Sequence, residues 1–149
     1  MHIFIASDHA GVFLKKFLVE SLKDIDINDV GPFDMNPCDY PELADKFVNE
    51  LLSSKYEKKY GILICGTGIG MSIAANRYDG IRAALCLNRE MAVMARRHNN
   101  ANVIVFGEKY IDANTALECV RDFQKTEFDG GRHEARLRLI DDLTKGRRK

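Results

Sequence analysis

The apolar run Gly61-Ile62-Leu63-Ile64 ends in a cysteine, Cys65, and the chain continues directly into Gly66-Thr67-Gly68-Ile69-Gly70. A core thiol needs no glycines behind it, and a dinucleotide loop needs no cysteine in front. A glycine loop between a strand and a helix can turn its backbone N–H groups toward an anion near the helix N-terminus. The same positive end favours a thiolate and lowers a cysteine's pKa. A tight turn that packs helix on strand would account for the glycines equally well; the cysteine tips the balance toward a base or nucleophile beside an oxyanion site. The spacing G-x-G-x-G is not the G-x-G-x-x-G of dinucleotide folds. Leu85-Cys86-Leu87-Asn88 stands where an acidic ribose ligand would follow the next strand, and no Gly-Lys-Ser/Thr occurs.

Three further groups carry chemistry. Asp8-His9 closes the first apolar run, where it serves either as helix cap and satisfied histidine or as part of a site. His98 follows Arg96-Arg97 at a helix end, a position a histidine cation also favours for its dipole alone. Arg132 and Arg136 stand four apart after Gly130-Gly131, on one helix face. Two guanidiniums so placed suit a phosphate clamp, with a solvated basic face as the alternative. No pair among the histidines and cysteines has metal-ligand spacing, so no metal is expected.

The elements that must position these groups alternate between apolar runs and amphipathic stretches, which predicts an α/β sandwich on a parallel sheet. Strands are expected at His2–Ser7, around Asn28–Val30, and at Gly61–Cys65, Ile81–Cys86 and Asn102–Phe106. Helices are expected at Gly11–Lys23, with Val12, Phe13, Phe17, Leu18 and Leu22 inward, and at Asp39–Leu52, opened by an Asp39/Glu42 capping box with Pro41 in the first turn. Met71–Arg77 is expected to lie on the helix after the Cys65 strand, and others follow over Arg89–His98, Ala113–Lys125 and about Arg132–Leu143. Ligands of such folds bind at the carboxyl ends of strands. Ser7-Asp8-His9, Cys65 to Gly68 and His98-Asn99-Asn100 are all expected there.

Composition narrows the function classes. The 149 residues, 46% hydrophobic and 30% charged, fit one domain with its own core. Twenty-two basic residues balance 22 acidic ones, so no global field draws in nucleic acid or a membrane surface. The basic run 145–149 reads as a solvated tail. No apolar stretch approaches the roughly 20 residues of a spanning helix, and the N-terminus lacks a signal-like pattern. Four dispersed cysteines without CxxC spacing read as reduced thiols of a cytoplasmic protein.

Taken together, Ser7-Asp8-His9-Ala10-Gly11, Asp39-Tyr40-Pro41, Ile64 to Gly70, Ala74-Ala75-Asn76-Arg77, Gly80-Ile81-Arg82-Ala83, His98-Asn99, Asn102-Val103 and Gly130-Gly131-Arg132-His133 resemble ribose-5-phosphate isomerase type B. The wider family includes galactose-6-phosphate isomerase subunits, and the likeness spans essentially the whole chain. It implies a Rossmann-like three-layer α/β/α fold with a five-stranded parallel sheet and an extra C-terminal helix lying on a partner subunit. It also implies a cofactor-free homodimer, or dimer of dimers, with shared active sites that interconverts ribose 5-phosphate and ribulose 5-phosphate. By resemblance, Cys65 is the base and His98 the ring-opening acid, while Thr67 assists proton handling. The amides of Gly66, Thr67, Gly68, Ile69 and Gly70 would hold the enediolate. Asp8, His9, Tyr40 and Asn99 would line the sugar, and Arg132 and Arg136 would bind the phosphate, with His9 nearby. Met71 stands where some members supply a glutamate base, which favours the cysteine subtype. An isomerase of six-carbon sugar phosphates and a non-catalytic phosphosugar- or nucleotide-binding module are the rival readings.

Overall fold

A computed structural model describes residues 1–144; the basic run 145–149, expected to be a solvated tail, lies outside them. Five strands form one parallel sheet: β1 (His2–Ser7), β2 (Asp26–Gly31), β3 (Lys59–Cys65), β4 (Ala83–Leu85) and β5 (Val103–Gly107), in the order β2-β1-β3-β5-β4. Six helices accompany them: α1 (Val12–Ser21), α2 (Tyr40–Ser53), α3 (Ile69–Ala75), α4 (Arg89–Asn99), α5 (Ala113–Lys125) and α6 (Arg132–Thr144). A 3-10 turn, His9–Gly11, leads into α1. Among the described residues no helix is long and apolar enough to cross a membrane.

Side chains alternate along each strand, so both faces of the sheet need a covering layer. Ile3, Ile5, Ile62, Ile64, Ile104 and Phe106 bury one face against α1, α4 and α5. Phe4, Ala6, Leu63, Cys65, Val103 and Val105 bury the other against α2 and α3. The chain leaves β1 for β2 on one side and returns to β3 on the other. Sheets of this kind take their ligands at such a reversal, outside the carboxyl ends of the two strands; here those ends, of β1 and β3, carry Asp8 and Cys65.

Four local expectations need correction. Phe13 is 66% exposed, and Leu14 and Lys15 are buried instead. The 3-10 turn rotates the entry of α1, so Leu14, Leu18 and Leu22 form its inward row. Lys15 tolerates burial because its Nζ donates to Asp29 Oδ1 at 2.7 Å and to the Pro32 carbonyl at 2.6 Å, beneath the Phe33 ring. Asp39 is the N-cap of α2 but its side chain makes no capping bond, so the capping box is not formed. β4 shortens to three residues: at the sheet edge it has one partner, and Asn102 Oδ1 and Asn76 Oδ1 take the N–H groups of Arg82 and Ala83. α3 starts at Ile69, directly behind the left-handed Gly68, and ends at Ala75, so Asn76 and Arg77 lie beyond the helix on which they were expected.

Candidate active site

The strand β3 carries Cys65 to the carboxyl edge of the sheet, where its side chain is 5% exposed. The chain then turns sharply through Gly68, whose φ of +78° places it in the left-handed region. A Cβ there would lie 2.4 Å from Leu85 Cδ1 and 3.0 Å from the Gly107 nitrogen, so conformation and space both demand glycine. The turn brings the Gly68 N–H to 3.1 Å from Cys65 Sγ, where it donates a hydrogen bond to the sulfur. The Ile69 N–H donates to Thr67 Oγ1 at 3.3 Å. The N–H groups of Gly66, Thr67 and Gly70 find no acceptor among the described residues. The expected cradle of five amides is therefore divided, with one amide on the thiol, one on the threonine and three left for a ligand.

Around this loop stand groups from three other segments. Asp8 is buried, its N–H bonded to the Ile64 carbonyl and its Oδ1 accepting from the Ala10 N–H at 2.9 Å. His9 follows, with Nδ1 4.0 Å from the sulfur of Cys38. Tyr40, the first residue of α2, packs so close to the loop that a Cβ on Gly70 would come within 2.8 Å of its ring. Lys109 was not singled out from the sequence. Its N–H bonds the Gly66 carbonyl at 3.1 Å, and its Cε would be 3.7 Å from a Cβ on Gly66, so it sets a cation beside the glycine loop. Its only signal was its place, two residues beyond the carboxyl end of β5.

Burial raises the thiols of Cys86 and Cys119 to about 12 and about 11, which removes them as nucleophiles at neutral pH. Cys38 is half-buried and is the most accessible of the four thiols.

A second cluster lies elsewhere. Helix α4 runs back along the sheet, so its C-terminus returns to the amino ends of the strands. Asn99 ends the helix, the Asn100 carbonyl accepts from Arg82 Nε just before β4, and Asn102 bonds Gly61 at the start of the β3–β5 ladder. His98 and Asn99 were expected at the carboxyl ends; within one chain they sit at the opposite edge from Cys65. The length of β5 alone, at about 3.3 Å per residue, keeps these edges ~13 Å apart. The buried Arg96 fixes this corner, donating to Asn100 Oδ1 and the carbonyls of Ala101 and Thr126.

His98 stacks on His133 of α6, ring centroids 4.2 Å apart and planes within 6°. Asp129 anchors the linker before α6, with its N–H on the Arg97 carbonyl and its carboxylate on the Arg97 guanidinium. That hydrogen bond holds the Asp129 carboxyl below its ordinary value. Partial desolvation, then the charges of His98, Arg132 and Arg136, lower the pKa of His133. Arg132 and Arg136 are exposed and form no ion pair among the described residues, whereas Arg138 pairs with Glu134 at 2.6 Å. The structure thus collects the sequence candidates into two groups: Asp8, His9, Tyr40 and Cys65 to Gly70 at one end, and His98, Asn99, Arg132 and Arg136 at the other.

The sequence profile of a family described as ribose/galactose isomerase matches residues 3–140. A ribose 5-phosphate isomerase from Thermotoga maritima superposes with a TM-score of 0.90 at 51% identity, over 95% of this chain and 97% of that one. A ribose-5-phosphate isomerase B from Mycoplasma genitalium, solved with bound ribulose-5-phosphate, gives a TM-score of 0.88 at 41% identity over 97% of both chains. A putative sugar phosphate isomerase of Rickettsia bellii is 45% identical over 141 residues, 93% of this chain and 96% of the relative.

Proposed function

The chain belongs to the ribose/galactose isomerase family, and from that membership we infer that it is an aldose–ketose isomerase interconverting ribose 5-phosphate and ribulose 5-phosphate. The rival readings are not favoured, since the relatives are named as isomerases and one of them holds ribulose-5-phosphate. The observation that carries the chemistry is the Gly68 N–H on Cys65 Sγ, beside amides left for a ligand.

In the proposed mechanism His98 donates a proton to open the furanose ring. The Cys65 thiolate then takes the proton from C2 of the open aldose, the electron pair moves toward the C1 oxygen, and the amides of Gly66, Thr67 and Gly70 stabilise the enediolate. Return of the proton to C1 gives the ketose, with Thr67 relaying protons between hydroxyls. Asp8, His9, Tyr40 and Asn99 line the sugar. Arg132 and Arg136 hold the phosphate.

The two clusters work together only across a subunit boundary. The proposed unit is a homodimer, alone or paired into a dimer of dimers, in which His98, Asn99, Arg132 and Arg136 of one chain face Cys65 of the other. Two features support this: the separation of the clusters within a chain, and a helix α6 with no buried residue and with Leu139, Ile140 and Leu143 exposed. Residues 1–149 act as one isomerase domain, placed in the cytoplasm and in the non-oxidative pentose phosphate route. Incubating the purified protein with ribose 5-phosphate and a chelator should yield ketose; no ketose at any enzyme concentration rejects the assignment.

A further inference from the structure

Sequence spacing held no metal site, yet among the described residues the fold gathers one set of donors. His98, from the end of α4, and His133, from the first turn of α6, face Asp129 of the linker between α5 and α6. One ligand atom from each lies within 4.8 Å of the others, and His98 Nε2 is 4.0 Å from Asp129 Oδ2. Two imidazoles and a carboxylate are the donor set that zinc-class ions take with a fourth position left for water or a ligand.

Donors at about 2.0–2.1 Å from a tetrahedral ion stand ~3.4 Å from one another, so movements of about an ångström close the site. The Arg97 fork occupies Asp129 only in part, since a carboxylate offers about four lone-pair sites. The lone pairs of stacked rings lie in parallel planes, so one ring must turn about its Cβ–Cγ bond for both to meet one ion. Both rings are only half-buried and can do so. Arg132 and Arg136 on the same helix repel a dication, which suits a reversibly bound ion better than a resident one.

We propose that His98, Asp129 and His133 form a binding site for a borderline divalent cation of the zinc class, and that its occupation inhibits isomerisation by taking the His98 lone pair and blocking the approach of substrate. The inhibitory half rests on the role assigned to His98 above; the binding half does not.

The test titrates Zn²⁺ by calorimetry into the Cys38→Ala/Cys65→Ala chain, whose two most relevant thiols no longer compete for the ion. One ion per chain is expected, with shifts of the His98 and His133 ring nitrogens in NMR spectra. Adding His133→Ala or Asp129→Asn should each weaken binding at least about tenfold. No heat and no ring shifts, or unchanged affinity in both variants, overturns the site. In the chain with all its thiols, Zn²⁺ should compete with ribose 5-phosphate, and His133→Ala should relieve that inhibition about tenfold. Binding without such inhibition overturns the inhibitory half and counts against the role of His98. Absence of isomerisation before any metal is added is a failure of the isomerase assignment alone, and the calorimetry still decides the site.

Discussion

The backbone N–H of Gly68 meets the sulfur of Cys65 at 3.1 Å. Two residues, Gly66 and Thr67, separate them, and the left-handed turn at Gly68 folds the amide back over the strand that delivered the thiol. That hydrogen bond holds the sulfur in one orientation at the head of the glycine loop.

Cys65→Ala should lower the isomerisation kcat by at least about 10²-fold, the lower range for a positioned general base. Phosphosugar affinity should stay within a few-fold, because the other groups supply ground-state binding. Steady-state kinetics together with calorimetric binding of ribose 5-phosphate check both halves, and near-normal turnover would remove Cys65 from the mechanism.

Gly68→Ala should destabilise the fold by roughly 1–3 kcal/mol through its positive φ, with the clash against Leu85 adding to that cost. Urea denaturation measures the loss. Activity should fall further than the folded fraction does, since the amide over Cys65 is displaced. An alanine variant as stable and active as the parent contradicts the geometry.

Alkylation should proceed in two phases. Cys38 reacts first as the most accessible thiol, Cys65 follows, and Cys86 and Cys119 stay unmodified at neutral pH because burial raises their pKa to about 12 and about 11. Mass spectrometry with parallel assays should show inactivation tracking Cys65 and persisting in Cys38→Ala. Labelling of Cys86 ahead of Cys65 would contradict that order.

Mixing inactive Cys65→Ala with inactive His98→Asn should restore activity once subunits exchange, as should mixing Cys65→Ala with Arg132→Ala/Arg136→Ala. Each mixed dimer then holds one pocket with both lesions and one with neither. Given exchange shown by mass-tagged subunits, a mixture that stays inactive places all these residues in one chain's pocket and rejects the shared site.

Lys15→Met should cost about 2 kcal/mol, because it leaves Asp29 and the Pro32 carbonyl without their buried cation. Asp29 is partly exposed, which keeps the loss below that of a fully buried pair. Thermal melts measure it, and an unchanged melting temperature would mean that the pair contributes only conformational specificity.

The sheet was legible in the sequence because apolar runs such as Val103-Ile104-Val105-Phe106 have one stable use, a strand covered on both faces. Cys65 and its glycines were legible too, since a thiol before G-x-G-x-G is a local pattern whose consequences stay within seven residues. Phe13 misled because side-chain apolarity alone does not fix the phase of a helix: the 3-10 turn at His9–Gly11 set the rotation, and an ion pair with Asp29 made it possible to bury Lys15 instead. The gathering of His98, Asp129 and His133, and the separation of His98 from Cys65 within one chain, had no sequence signal. Both follow from the direction in which α4 returns along the sheet and from where the linker sets α6 down. Those are long-range packing outcomes, decided by which faces bury together, and no local spacing of residues encodes them.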